Sequence, residues 1–377
     1  MNVLVLGAGR VGGAMAQDLL KEDRFKVTVA DVNANSLKKL KCAVIQMDLS
    51  KRANLVALVK KYDLVLNAVP GFMGFSVFKT VIETGTNIVD IAFFPEDPFP
   101  LDKTAKEKGA VAVMDCGVAP GLSNLLVGYA ARKLDRLLSV RIYVGGLPLF
   151  RDWPYEYRAV FSPLDVIEEY TRPARFKQNG ELIVKEALTD RELLTFPRVG
   201  TLEAFNTDGL RTLLNTIPCP DMVEKTLRYP GHVDKMLLLR ESGFLSSNPI
   251  EVKGRKIRPL DVTAQLLFPM WELKQGEEDI TVMRVEVDGI KGKSHLKYVY
   301  NLFDRFDSQS QTTSMARTTG YTATMMVRLL AQGLYQKPGV FPPEVIGESE
   351  GLVNFILQGL KEKGIILEQR KEVVKAK

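Results

Sequence analysis

Asn2 to Leu6 is a short, unbroken apolar run, the pattern of a strand buried on both faces. A glycine cluster follows at once, and then apolar positions at helical spacing through Ala14, Leu19 and Leu20. The alternation continues. Lys26 to Ala30, ending at Asp31, reads as a second strand, Ala43 to Met47 as a third and Asp63 to Ala68 as a fourth, with a helix from Ala53 to Lys61 between the last two. Helix Phe75 to Thr84, strand Asn87 to Ile91, helix Leu101 to Lys108 and strand Ala110 to Met114 complete the series. Six strands alternating with helices within about 115 residues predict an α/β unit built on a doubly wound parallel sheet.

The pattern changes near Pro120. A helix from Leu122 to Leu134 leads into an alternating strand, Ser139 to Val144, and then into a long stretch of weaker periodicity. Strands are expected there at Thr201 to Asn206, Val223 to Arg228, Ile280 to Val287 and Leu296 to Phe303. Val282, Arg284 and Glu286 alternate with Met283, Val285 and Val287, which suits a sheet with one wet face. A second, α+β domain fits this better than further parallel units. Thr313 to Gly333 reads as a long helix of small and apolar residues. The expected boundaries are therefore a first domain over 1–121, a second over 122–312 and a helical segment over 313–377.

The length agrees, since 377 residues at about 150 per domain make two or three domains. With 46% apolar and 25% charged residues, the composition is that of a globular enzyme and excludes a disordered or fibrous chain. No uncharged apolar run approaches the ~18 residues of a spanning helix, so no membrane role is expected. The opening Met-Asn-Val-Leu-Val-Leu-Gly has no basic region, long apolar core or cleavage site, so no secretory leader is expected either. Cys42, Cys116 and Cys219 are odd in number and far apart, which suits reduced thiols in a cytoplasmic setting. The net charge of +6 is spread along the chain, apart from a basic stretch from Lys371 to Lys377 that reads as a solvated tail. Nothing supports a nucleic-acid partner, whereas a positive surface favours anionic small molecules such as a dinucleotide.

Gly7-Ala8-Gly9-Arg10-Val11-Gly12 fits G-x-G-x-x-G, directly after a strand and before a helix. The first glycine permits a tight turn, the second lets a pyrophosphate reach the backbone, and the third lets helix and strand pack closely. A lone match is weak, but Asp31 ends the second strand, where a carboxylate accepts hydrogen bonds from the adenosine ribose and repels a 2′-phosphate. No Arg or Lys occurs from Val32 to Leu37 to neutralise such a phosphate, so the expected cofactor is NAD. Asp48, after the third strand, and Ala68-Val69-Pro70, after the fourth, are expected to form cofactor wall; ordinary strand-to-loop geometry is the plainer alternative. Asp115-Cys116-Gly117-Val118-Ala119-Pro120-Gly121 closes the sixth strand, where a carboxylate and a thiol would look into a cleft near the nicotinamide. A buried, inert thiol is the expected state of Cys116. With only His232 and His295, and no Cys or His pair at ligand spacing, no metal is expected.

The glycine turn, Asp115 to Gly121, Tyr143-Val144-Gly145-Gly146-Leu147-Pro148, Arg228-Tyr229-Pro230-Gly231-His232 and Met315-Ala316-Arg317-Thr318-Thr319-Gly320-Tyr321 together resemble the lysine 6-dehydrogenases of the saccharopine dehydrogenase-like superfamily, over essentially the whole chain. The resemblance implies a Rossmann domain completed by the C-terminal segment and an inserted α+β substrate domain. It also implies a homodimer and NAD-dependent oxidation of the L-lysine side-chain amine. The product, 2-aminoadipate 6-semialdehyde, would cyclise to piperideine-6-carboxylate after loss of ammonia. Saccharopine reductase shares mainly the cofactor turn and Val118 to Gly121, and carboxynorspermidine synthase-like reductive amination stays open beside it. A dinucleotide-binding sensor without chemistry is the non-enzyme alternative.

Hydride leaves only from a neutral amine, and a free lysine amine has a pKa of ~10.4, so a base or a desolvating site is needed. Asp90, Asp115 and His232 are the candidates for acid–base or orienting work. A substrate α-carboxylate wants a guanidinium, for which Arg211 and Arg317 are candidates, and Tyr157 is a candidate lining residue. Each has a plainer reading: His232 as a capping or packing residue, Arg317 as a backbone anchor and Tyr157 as a loop anchor.

Overall fold

The structure is a computed structural model and describes residues 1–274 and 276–374. The chain divides into two units, 1–133 with 315–367 and 134–314 with 368–377. In the first, six strands run in sequence order: β1 (Asn2–Leu6), β2 (Lys26–Asp31), β3 (Ala43–Gln46), β4 (Leu64–Asn67), β5 (Asn87–Asp90) and β6 (Val111–Val113). Their spatial order is β6-β5-β4-β1-β2-β3, every pairing is parallel, and a seventh strand, Gly339–Phe341, extends the sheet beside β6. The order reverses between β1 and β4, which places the topological switch beside the glycine turn. Leu64–Asn67 is fully buried, as is β1 after Asn2, which is why both read as unbroken apolar runs.

The helix after Gly121, Leu122–Ala131, stays with this unit instead of opening the second one. Every residue from Leu122 to Ala130 is buried, and Gly128 lies so close to the Glu344 backbone that a Cβ would strike it. The long helix Ser314–Ala331 packs along α1 (Arg10–Leu19). A Cβ on Gly320 would come within 2.9 Å of Met15 Cγ, and Asp18 accepts hydrogen bonds from Thr324 (2.6 Å), Arg328 (2.7 Å) and Lys363 (2.7 Å).

The second unit is a nine-stranded mixed sheet. Its main path runs Glu192–Phe196, Gly200–Asn206, Asp221–Arg228, Arg136–Pro148, Asp279–Lys291, Ser294–Arg305 and Leu367–Val373. A hairpin of Ala174–Gln178 and Glu181–Lys185 attaches to Asp221–Arg228. The expected alternation holds from Met283 onward, although Arg284, Glu286 and Asp288 are half-buried rather than fully wet. The last strand corrects the expectation that all of 313–377 returns to the first domain. Leu367–Val373 joins the second sheet, and Val374 N–H donates to the His295 carbonyl at 2.8 Å. Of the basic stretch at the end of the chain, Lys375 to Lys377 lie outside the described residues.

Candidate functional site

Gly7 adopts φ +101°, and a Cβ there would lie 2.6 Å from the Ala68 carbonyl oxygen. A Cβ on Gly12 would strike the Gly7 carbonyl. Gly9 differs: it is exposed, and a Cβ on it would meet nothing within 4 Å. The two flanking glycines are therefore fixed by packing, while the middle one faces open space. No side chain caps the first turn of α1, whose amide dipoles are available to an anion. Arg10 is exposed, and half-buried Val11 sits against Gly320. Asp31 is drawn over the same turn. Its Oδ2 accepts from Ala8 N–H at 2.6 Å and its Oδ1 from Asn33 N–H at 2.7 Å. Asp48 is half-exposed, and its carboxylate accepts from the Ser50 hydroxyl (2.6 Å) and amide (3.0 Å), which hold it below the usual carboxylate range.

The carboxyl edge of the sheet carries the second group of candidates. Asn67 and Asp90 are register partners at the ends of β4 and β5, and both are fully buried. Asn67 Nδ2 donates to Asp90 Oδ2 at 2.5 Å, while Asp90 Oδ1 accepts from Ala92 N–H at 2.8 Å. The other end of the Asn67 amide, Oδ1, is buried without a hydrogen-bond partner, an orphaned acceptor beside the switch point. Ala68 and Pro70 are half-buried, Val69 is buried, and Pro70 begins the helix Gly71–Glu83. Asp115 is buried in a left-handed conformation, φ +50°, which costs a non-glycine residue some backbone strain. Cys116 N–H donates to the Asp90 carbonyl at 2.8 Å. Burial, reinforced by the charges of Asp115, Asp90 and Glu344, pushes the Cys116 thiol well above its ordinary pKa. It is no thiolate nucleophile. The open face above Gly9, the uncapped helix start and the orphaned Asn67 oxygen together fit a bound dinucleotide. Among the described residues, no group of His, Cys, Asp and Glu is arranged to hold a metal.

In the second unit, His232 lies in an aromatic core with Tyr157, Tyr170, Phe205 and Trp271. Its Nδ1 faces the Tyr155 carbonyl at 2.9 Å and therefore carries the proton, so Nε2 accepts from the Tyr170 hydroxyl at 3.0 Å. Burial, then repulsion from Arg228, lowers its pKa to about 3. No ring nitrogen is left to exchange a proton with a substrate, so the acid–base expectation for His232 gives way to a packing role. Tyr157 is sealed in the same core, with the Arg228 guanidinium 4.6 Å from its ring centroid, and presents no surface. Arg228 itself pairs with Glu169 and donates to Tyr170 at 3.3 Å.

Arg211 ends the loop Asn206-Thr207-Asp208-Gly209-Leu210-Arg211, mostly buried and left-handed at φ +52°. No local pattern in the chain points to what holds this loop, which is Glu224. Its Oε2 accepts from the Thr207 hydroxyl at 2.6 Å and from Gly209 N–H at 3.1 Å, and any side chain at 209 would collide with it. Burial, then the nearby Glu169, raises the Glu224 pKa to about 8 against the pull of its donors. Asp208 is clamped by Arg175 through two contacts of 2.8 Å. Arg317, in the first unit, donates to the Lys363 carbonyl at 3.0 Å, the backbone-anchoring role.

Comparison with known proteins agrees with this layout. Residues 3–113 match the saccharopine dehydrogenase NADP binding domain and residues 117–365 the saccharopine dehydrogenase C-terminal domain. A saccharopine dehydrogenase [NADP(+), L-glutamate-forming] from Pyricularia oryzae is 28% identical over 265 residues, covering 65% of this chain but only 58% of that protein. A carboxyaminopropylagmatine dehydrogenase from Synechocystis and a carboxynorspermidine synthase from Vibrio cholerae, 22% and 23% identical, are matched over 91% of this chain and 92% of each relative. The apo saccharopine dehydrogenase structure from Saccharomyces cerevisiae superimposes with a TM-score of 0.80 at 20% identity, covering 98% of this chain and 99% of that one, which establishes the shared fold. With both domain families matched in order across nearly the whole chain, the protein belongs to the saccharopine dehydrogenase-like family of oxidoreductases.

Proposed function

We propose that the protein is an NAD-dependent amine dehydrogenase that oxidises the side-chain amine of L-lysine to 2-aminoadipate 6-semialdehyde with release of ammonia. The observation that carries this reading is the pair of buried carboxylates, Asp90 and Asp115, at the carboxyl edge of a dinucleotide sheet whose unit contains no histidine. Carboxylates attract a cationic amine and take up its proton, as hydride loss requires. When bound, the dinucleotide supplies the hydride acceptor. Asn67 and Ala92 N–H orient Asp90, which makes it the better candidate for the proton, and Asp115 completes the negative field. NAD is favoured over NADP because Asp31 places a carboxylate over the turn, in contrast to the cofactor named for the matched domain and for the Pyricularia relative.

A second reading has its own support. The two relatives matched over more than nine-tenths of this chain carry names of carboxylated polyamine metabolism, so reductive amination of that class is the alternative. One panel separates the two: lysine with NAD or NADP, followed at the absorbance of the reduced cofactor, against amines plus an aldehyde donor with NADH or NADPH. Lysine-dependent NADH formation supports the proposal. Turnover only in the reductive direction with a carboxylated aldehyde replaces it, and no turnover with tight dinucleotide binding leaves a sensor.

A further inference from the structure

The helix Gly71–Glu83 turns Gly71, Gly74, Val77, Phe78, Val81 and Ile82 inward. Two of its three phenylalanines are absorbed by packing, with the Phe94 ring centroid 5.7 Å from that of Phe75 and 5.9 Å from that of Phe78. Phe72 is the third, and it lies off the inward face. It is 76% exposed, more than any other large apolar side chain among the described residues of the first unit. An aromatic ring left in water forgoes a large gain from burial. Its position is nevertheless fixed. A Cβ on Gly74 would lie 2.6 Å from Ala92 Cβ and 2.9 Å from Phe94 Cδ1, so the first turn of the helix is pressed against the chain that leaves β5. On the other side, Pro70 leads back to Ala68, whose carbonyl oxygen would lie 2.6 Å from a Cβ on Gly7. Ile91 N–H donates to the Asn67 carbonyl at 3.1 Å, and Ile91 and Phe93 are both half-buried. The ends of β4 and β5 therefore carry an apolar rim next to Asp90 in the chain, and Phe72 is its most exposed member.

We propose that Phe72 is the platform for the nicotinamide ring of the dinucleotide, stacking on one face of it and leaving the other to the substrate. The strand order carries the assignment. Across the sheet the neighbours run β5-β4-β1-β2. Asp31 ends β2, on one side of β1, and takes the adenosine ribose, while the pyrophosphate lies over Gly9 at the start of α1. The remaining half of an extended dinucleotide then falls on the other side of β1, over the ends of β4 and β5, where Phe72 stands. Its chemistry suits that neighbour. The nicotinamide ring is planar, and in the oxidised cofactor it is cationic, so an aromatic face attracts it both by stacking and by its quadrupole. A ring covered on one side also keeps water from that side of the hydride acceptor. This assignment rests on the dinucleotide orientation set by Asp31 and not on which amine is oxidised.

Calorimetric titration of the full chain with NAD and with ADP-ribose, which lacks only the nicotinamide ring, tests this without turnover. Phe72→Ala should weaken NAD about tenfold and leave ADP-ribose within about twofold of wild type, since only the ring loses its partner. Phe72→Tyr keeps the aromatic face and should hold NAD within about twofold of wild type. Because Phe72 is exposed, both variants should keep the wild-type thermal midpoint. NADH emission gives a second readout: the blue shift on binding, which reports shielding of the ring, should be smaller in Phe72→Ala than in wild type. If wild type binds NAD and ADP-ribose and Phe72→Ala binds both as tightly, the platform is lost and the dinucleotide reading stands. If Phe72→Ala weakens NAD and ADP-ribose equally, the residue acts through the adenosine half or the glycine turn, and the assignment is overturned. Failure of wild type to bind either compound overturns the dinucleotide reading and the platform with it.

Discussion

Gly9 and Gly12 belong to one motif, yet they make opposite demands on the fold. A side chain at Gly12 collides with the Gly7 carbonyl, whereas one at Gly9 has 4 Å of free space on the protein side. Gly9→Val should therefore fold with an unchanged thermal midpoint and lose dinucleotide binding in calorimetric titration, whereas Gly12→Val should fail to fold well. Tight NAD binding by Gly9→Val would mean that the turn is structural only. Asp31→Asn keeps one acceptor for the Ala8 or Asn33 amide and removes the charge. NAD should weaken by ~1.5–3 kcal/mol, the worth of a hydrogen bond to a charged group, while NADP holds or gains. An unchanged ratio of the two dissociation constants would sink the ribose assignment. Glu224 gives a stability test. Its folded pKa of about 8 lies above the ~4.3 of a free glutamate, so the unfolded state loses its proton first and stability falls as pH rises from about 4 to 8. Glu224→Gln keeps the acceptor for Thr207 and Gly209. In urea titrations it should match wild type near pH 4 and exceed it by a few kcal/mol at most, on the order of one per pKa unit, at pH 8–9. A gain that is equal at both pH values would remove the titration from the explanation.

Elements fixed by local pattern were legible in the sequence, and those fixed by partners were not. The buried strands of the first sheet announce themselves because both faces are covered, so nearly every residue of Asn2–Leu6 and Leu64–Asn67 is apolar. Gly339–Phe341 is only three residues long, too short for any period, and exists as a strand because β6 offers it an edge. The hairpin turning at Asn179-Gly180 carries a local signal on its first strand, where Ala174 and Phe176 alternate with Arg175 and Lys177 before the Asn-Gly turn; it is the unbroken Leu182-Ile183-Val184 of the second strand that breaks the alternation. The same division governs the site. Gly7 to Gly12 and Asp31 are local signals. By contrast, Asn67 meets Asp90 only through strand register, Glu224 meets Gly209 only through a neighbouring strand, and the burial of His232 is a tertiary fact. Long-range partnering also fixes α1, the helix that starts at the glycine turn. Burial alone would raise the Asp18 pKa, but Arg328 and Lys363 outweigh it and the net shift is downward. The stability this contributes is present above the usual carboxylate pKa of ~3.9 and is lost as pH falls through the lowered folded value. Asp18→Asn leaves two cations facing a neutral group in the interior and should cost ~3–5 kcal/mol in chemical denaturation at pH 7. The difference from wild type should shrink in acid. A loss below about 1 kcal/mol would mean that the cluster behaves as a surface pair.

At the scale of the whole molecule, neither unit is a continuous piece of chain. After the second sheet is nearly complete, Ser314–Ala331 and Gly339–Phe341 return to the first unit, and only then does Leu367–Val373 finish the second. The end of the chain is thus divided between two folding problems, and two truncations separate them. Ending the chain after Ile366 removes one charged edge strand from the nine-stranded sheet and leaves Asp18 with both of its cations. NAD affinity should change by no more than about threefold, while the second unit unfolds at lower denaturant than the first, giving two transitions. Ending the chain after Ser314 deletes Arg328, Lys363 and the seventh strand together. A buried, unpaired Asp18 and a bare β6 edge then remain beside the glycine turn, and dinucleotide binding should be lost with the fold of the first unit. Equal loss of NAD binding from both truncations would show that the last strand supports the dinucleotide unit as well, and that stability is not partitioned along the lines the contacts draw.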